Sequence, residues 1–262
     1  MSYEYIELEQ DGPLAILRFS RPDQYNALNP QMASELVDAM VEIKNNPAYR
    51  ALMVTGKGNA FHSGGDIKWF VESEQALTQK LERVITDLHA FISRLIRLPK
   101  PVVAAVNGPA AGAGFSLAMA CDLVVARADA VFTLGYTKIG ASPDGGSTFY
   151  LPRLVGLRRA LELAYTNRVL TAEQAMQWGL VNRVFPEENF MEEAKKFAME
   201  LANGATAALG RTKDLLYHSL NHELETQLEL EARGIIDSVS TEDFAEGTRA
   251  FVEKRKARFK GG

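Results

Sequence analysis

Only one cysteine, Cys121, occurs in this chain of 262 residues, so disulfides cannot hold the fold together. It lies in the apolar run SLAMACDLVV, where a thiol reads as a small buried hydrophobe rather than a nucleophile. No apolar run is long enough to span a bilayer. Basic charge is not in excess either. The 29 Lys+Arg stand against 33 Asp+Glu, a formal net charge of −4, which argues against a nucleic-acid or membrane-surface protein. The opening MSYEYIELEQDG lacks a basic stretch followed by an apolar core, so no signal or transit peptide is expected. The closing KGG is not a peroxisomal address, and the expected location is the cytoplasm. Low-complexity linkers and repeats of 20–50 residues are missing, which argues against solenoids and propellers. Histidine is scarce as well. His218 and His222 have the i, i+4 spacing of a metal chelate, but no third ligand or HExxH order accompanies them, so no metal is assigned.

What is present is apolar and patterned. Hydrophobic residues make up 47% of the chain, enough for a large core. β-Branched runs at LAILRFS (14–20), ALMVTG (51–56), VVAAVNG (102–108) and DLVVARADAVFT (122–133) read as strands. Between them, 29–46 has apolar residues at three-to-four spacing behind an asparagine cap, and 74–98 reads as a long amphipathic helix ending at Pro99. After about residue 155 the strand signal nearly stops. RRALELAYTN, TAEQAMQWG, FMEEAKKFAMELAN and the run from ATAALGRTK to GIIDSV all read as helix. An α/β body over 1–198 followed by a helical region over 199–262 is expected.

Two glycine-rich segments suit an anion. In PVVAAVNGPAAGAGFSLAMACD a strand passes through a small-residue turn into a helix, leaving backbone N–H groups uncovered where the helix dipole favours negative charge. Small residues there also permit tight helix–strand packing. Leu117 stands where a dinucleotide-binding G-x-G-x-x-G needs glycine, and GFSLA lacks the last glycine of a serine-hydrolase elbow. The second segment, GKGNAFHSGGDIKWF (56–70), exposes N–H groups at Gly64 and Gly65 in the same way. Two such sources on separate loops are what a thioester carbonyl needs if its oxygen is to become an enolate.

One acidic residue, Asp144, sits in IGASPDGGSTFYLPR between a proline and two glycines. Pro-Asp-Gly-Gly is sufficient turn chemistry by itself. It can equally aim a carboxylate.

The motifs AFHSGGDIK, PVVAAVNGPAAGAGFSLAMACD, GLRRALELAYTNRVLTAEQAMQWGLVNRVF and EGTRAFVEKRKARFKG together resemble the enoyl-CoA hydratase/isomerase (crotonase) superfamily. The match runs from RPDQYNALN at 21–29 to the C-terminus and is more specific for the superfamily than for the reaction. The resemblance implies an α/β crotonase-like spiral of ββα units, with two roughly perpendicular sheets and a helical C-terminal trimerisation region. Homotrimers, often paired into hexamers, are implied, as are acyl-CoA thioester substrates, with coenzyme A as part of the substrate and no separate cofactor. The N–H groups of Gly65 and Ala113 are the implied oxyanion hole. Asn26, Ala27 and Leu28, with Asp66 and Ile67, match the segment that holds the CoA adenine and pantetheine. Lys260 matches a lysine that reaches a neighbouring subunit's CoA phosphates; on residue type alone KRKARFK is a solvated basic helix end.

Hydratases of this superfamily use two glutamates, and those positions match Ser116 and Tyr136, neither of which can serve as a carboxylate base. Asp144 is the carboxylate that remains. Its turn most resembles the ring-1,2-epoxyphenylacetyl-CoA isomerase and enoyl-CoA isomerase branches, with Asp144 as acid and base. Resemblance to the 4-chlorobenzoyl-CoA dehalogenase branch, with Asp144 as nucleophile, leaves a second route open. His89 falls at that branch's helper histidine. Tyr136, at its pocket tryptophan, reads either as an aromatic wall or as a hydroxyl donor. His62 beside the oxyanion loop is expected to line the pocket. A hydratase and a non-catalytic CoA- or RNA-binding paralogue complete the alternatives. Acidic balance weighs against RNA and the complete Asp144 turn against loss of catalysis.

Overall fold

A computed structural model describes residues 3–73 and 76–262. The first two residues of the helix expected over 74–98, Glu74 and Gln75, lie outside the described residues. The strands are β1 (Ile6–Asp11), β2 (Leu14–Phe19), β3 (Ala51–Gly56), β4 (Val102–Val106), β5 (Ala110–Ala111), β6 (Leu123–Arg127), β7 (Val131–Thr133), β8 (Leu170–Thr171) and β9 (Arg183–Phe185). The helices of the body are α1 (Pro30–Asn45), α2 (Ile67–Glu72), α3 (Leu77–Ile96), α4 (Ala113–Ala120), α5 (Ser147–Val155), α6 (Leu157–Thr166), α7 (Ala172–Gln177) and α8 (Phe190–Ala202). Helices α9 (Thr206–Ser219), α10 (Leu224–Val239) and α11 (Glu242–Val252) follow.

Six strands form the main sheet in the order β1-β2-β3-β4-β6-β9; β1 pairs antiparallel to β2 and every other pair is parallel. The second sheet has three strands in the order β5-β7-β8, and its β5 leads into α4 of the candidate site. Parallel strands covered on both faces explain the unbroken apolar runs of β3 and β4, which are buried at every position. Leu52, Val54, Val102 and Ala104 face one way, into the cluster containing Leu36, Met40, Phe91 and Leu95 of α1 and α3. Ala51, Met53, Val103 and Ala105 face the other way, onto Phe190, Ala194, Ala198 and Ala202 of α8. The i, i+4 alanines let α8 lie close on the sheet, and each large side chain so buried contributes on the order of 1.5–3 kcal/mol.

Several expectations meet their elements: Asn29 caps α1 by accepting from Met32 N at 2.8 Å. Others are corrected. The run 122–133 is two strands, not one, because Ala128–Ala130 turn the chain from the main sheet into the second. Helix is broken between Ser219 and Leu224, so His222 lies in a link and not on the helix of His218. The link folds α10 back on α9, where Gln227 Nε2 donates to Leu215 O at 3.1 Å. The 198/199 boundary falls inside α8, which runs unbroken along the sheet.

Candidate active site

Strand β3 ends in Gly56, and the loop that follows carries His62, Gly64 and Gly65 to the start of α2. Strand β4 leads through β5 to the start of α4 at Ala113. The loops are joined backbone to backbone. His62 N donates to Pro109 O at 3.2 Å, and Ala111 N donates to His62 O at 3.0 Å. A β-carbon added to Gly64 would stand 3.1 Å from Ala111 O and 3.5 Å from Ala113 N, so Gly64, at φ 98°, lies against the other loop, where a side chain would be both crowded and strained.

The direction of each N–H follows from its carbonyl. In a trans peptide, C=O and N–H point opposite ways. Gly64 O accepts from Leu28 N at 2.7 Å, which turns the Gly65 N–H away from the 26–28 segment. Gly112 O accepts from Ser116 N at 3.1 Å inside α4, which turns the Ala113 N–H out of the helix start. Neither Gly65 N nor Ala113 N has a hydrogen-bond partner among the described residues. Two uncommitted donors on abutting loops, one at a helix N-terminus, can take an oxyanion.

Asp144 stands over the first turn of the same helix. Its backbone O accepts from Ser116 Oγ at 3.1 Å and from Ser147 Oγ at 2.9 Å. Gly145 and Gly146 both take positive φ, 60° and 79°, which is why the turn needs two glycines. The carboxylate is held from one side: Tyr136 OH donates to Oδ1 at 2.6 Å. Oδ2 has no donor among the described residues. Tyr136 OH also lies 3.3 Å from Ser116 Oγ. Burial, and then the charge of Asp144, push the Tyr136 phenol far above its usual value, so it stays a protonated donor.

The other expected residues divide. Ser116 is fully buried and ties α4 to Tyr136 and to the Asp144 turn. His89 on α3 is exposed and accepts weakly from Gly145 N at Nε2, 3.4 Å away. With Ile92, Ile96 and Gly146 it lines a groove of about 360 Å³ beside the turn. His62 does not line the pocket, a correction: it is wholly buried, with its ring edge-on to Phe19 at 4.8 Å, because its side chain turns back beneath its own loop. Burial pushes its pKa down to about 3, so it is neutral.

Of the segment expected to hold CoA, Asn26 is also corrected. Its amide is wholly buried and committed to the backbone, accepting from Arg21 N at 2.9 Å and donating to Ala60 O at 2.8 Å, so it shapes the loop. Ala27 and Leu28 are buried, and Leu28 bridges to Gly65 as a strand residue would. Asp66 caps α2 and pairs with Arg21 at 2.9 Å, while Ile67 is exposed. Lys260 of the C-terminal tail pairs with Glu242 of α11, and no hydrogen bond or ion pair among the described residues joins it to residues 26–28 or 66–67. Sequence reasoning missed Arg21, which lies over the Tyr5 ring and donates to Ala27 O and Asp66. Its only signal was the RPD turn ahead of Asn26. His218 and His222 stack at 5.4 Å, and no group of three metal-ligating side chains gathers among the described residues. No described helix is long and apolar enough to cross a membrane.

A helical C-terminus following two sheets, with two uncommitted N–H donors on abutting loops and a half-buried carboxylate on the turn over α4, defines an enzyme site of the crotonase fold. The chain belongs to the enoyl-CoA hydratase/isomerase family, whose model matches residues 9–262. It is 36% identical to a 4-chlorobenzoyl coenzyme A dehalogenase from Arthrobacter sp over 97% of this chain and 92% of that one. It is 34% identical to the 1,2-epoxyphenylacetyl-CoA isomerase of Escherichia coli K12 over 98% and 99%. The solved enoyl-CoA hydratase of Polaromonas sp. JS666 superposes with a TM-score of 0.93 at 35% identity, over 97% and 99%. Three reactions are named among these relatives, so likeness alone gives the family and not the reaction.

Proposed function

We propose that this enzyme isomerises enoyl-CoA thioesters, moving a double bond from C3 to C2 with Asp144 as both acid and base. The observation that carries the reading is the carboxylate of Asp144, held at Oδ1 by Tyr136 and undonated at Oδ2, above the helix that presents the Ala113 N–H. Oδ2 takes a proton from C2 of the 3-enoyl thioester. The electron pair of that C–H bond moves into the thioester, and the oxyanion rests on Gly65 N–H and Ala113 N–H. Asp144 then returns the proton to C4 as the charge flows back and the C2=C3 bond forms. Acid–base help of this kind is worth on the order of 10²–10⁴-fold. Syn-hydration needs a second carboxylate, and Ser116 and Tyr136 supply hydroxyls instead.

Coenzyme A enters as part of the substrate, along the Ala27–Leu28 and Asp66–Ile67 segments, and no other cofactor takes part. Lys260 serves the CoA phosphates of a neighbouring copy. Self-association belongs to the same proposal. Helix α10 buries none of its residues and exposes Leu228 at 53% and Ile236 at 69% beside Glu225, Glu229 and Asp237. Helix α6 exposes Leu157 at 64% and Tyr165 at 75% beside Arg158 and Arg159. Two apolar faces of opposite charge on one chain suit head-to-tail closure into a trimer, or a pair of trimers.

The dehalogenase reading keeps the same atoms but makes Asp144 a nucleophile on an aromatic ring. The 36% identity to that enzyme and the place of His89 favour it. Product analysis separates the two. The wild type is given 3-hexenoyl-CoA, crotonyl-CoA and 4-chlorobenzoyl-CoA. Conversion of 3-hexenoyl- to 2-hexenoyl-CoA supports the isomerase, chloride release alone selects the dehalogenase, and hydration of crotonyl-CoA alone refutes both.

A further inference from the structure

His62 is joined to both oxyanion loops, by different atoms. Its backbone holds the loop of Ala113, accepting at O from Ala111 N and donating from N to Pro109 O. Its side chain holds the loop of Gly65: Nδ1 accepts from Gly64 N at 3.0 Å. That bond fixes the tautomer, with the ring proton on Nε2. Nε2 is buried and has no hydrogen-bond partner among the described residues. A buried donor left unpaired costs stability, and Phe19 packs against the ring as it would against any apolar side chain. Packing therefore does not account for an imidazole here. The bond at Nδ1 does.

Gly64 is thereby clamped at both ends, its N–H by His62 and its C=O by Leu28 N at 2.7 Å. At φ 98° glycine has no steric preference to hold it there. Only those two bonds and the abutting Ala111–Ala113 backbone set its peptide planes, and Gly64 precedes the donor residue Gly65. We infer that His62 is the positioning residue of the oxyanion hole: it fixes the separation and angle of the Gly65 and Ala113 N–H groups by bonding one loop with its backbone and the other with Nδ1. The inference rests on the reading of those N–H groups as the oxyanion donors.

Three substitutions test it. His62→Asn places an amide oxygen where Nδ1 lies. His62→Leu keeps the volume without an acceptor, and His62→Gln carries its acceptor one methylene further out, so it reports on the same loss should the leucine variant not fold. The probes are hexanoyl-CoA labelled with ¹³C at the carbonyl and its thioether counterpart S-hexyl-CoA, which has no carbonyl. In wild type the carbonyl stretch of bound hexanoyl-CoA should fall relative to free thioester, and the asparagine variant should keep that fall. The leucine and glutamine variants should lose most of it and lose roughly 10- to 100-fold in kcat, less than the roughly 10²–10³-fold of a donor removed outright, because the donors are displaced and not deleted. Their affinity for S-hexyl-CoA should stay within about twofold of wild type, a result that loss of fold would not give. A full carbonyl shift in the leucine or glutamine variant overturns the inference while leaving the oxyanion hole intact. Absence of any shift in wild type overturns the oxyanion reading and this inference with it.

Discussion

Tyr136 holds one oxygen of Asp144 and leaves the other free, so in the proposed isomerase the two side chains should fail differently. Asp144→Asn removes the base and should lower kcat by about 10²–10⁴-fold, with Kd for hexanoyl-CoA little changed. Tyr136→Phe leaves the base but frees its rotation. Losing one hydrogen bond to a charged group, about 1.5 kcal/mol, should lower kcat by roughly tenfold, measured with 3-hexenoyl-CoA. His62 makes a prediction in pH. It is neutral in the fold down to about 3 but protonates near 6.5 once unfolded. The unfolded chain therefore binds the extra proton, so stability is full above pH 6.5 and is lost as pH falls below it. Urea unfolding should show wild type losing about 2 kcal/mol more than His62→Asn between pH 7 and pH 5. Equal losses would mean that the imidazole is not held neutral. At this scale the turn around Asp144 was legible, because Pro-Asp-Gly-Gly calls for the positive φ that Gly145 and Gly146 adopt, while the partner of its carboxylate was not. Tyr136 was not, since wall and donor differ only by where a carboxylate oxygen falls. Asn26 and His62 were misplaced because burial, which decides whether a polar side chain meets ligand or backbone, is set by residues far away in sequence.

At the level of elements, long parallel strands and capped helices were read to within a residue or two, because continuous apolar runs and an asparagine cap are local signals. β1 was not singled out, since IELEQD has only Ile6 and Leu8 as apolar residues and its alternation is too short to stand out. The two-residue strands β5 and β8 carry too few residues for a pattern. The hairpin of α9 and α10 shows no Gly or Pro at its link, so only tertiary packing marks the break. The oxyanion element depends on glycine for space as well as for conformation. A β-carbon at Gly114 would meet His62 O at 2.0 Å, and backbone cannot yield there. Gly114→Ala should cost about 1–3 kcal/mol or more by overpacking and should push the two loops apart. The check is a lowered urea midpoint together with a lost carbonyl shift on hexanoyl-CoA; a midpoint and shift like wild type would mean that the loops are not in contact.

For the molecule as a whole, the α/β body is complete within one chain, while the C-terminal helices leave apolar surface uncovered. Their exposed residues were read correctly as helical but could not show from sequence which face lacks cover. Light scattering should find the wild type as a trimer or a pair of trimers, and Ile236→Glu as a monomer. A monomeric wild type would remove self-association from the account. The central claim is tested most directly by single-turnover conversion of 3-hexenoyl-CoA by wild type and Asp144→Asn, both shown to bind hexanoyl-CoA. Wild type should form 2-hexenoyl-CoA, carrying to C4 part of a deuterium label introduced at C2, and the asparagine variant should form almost none. Undiminished conversion by the variant would contradict the claim and return Asp144 to the role of a turn residue.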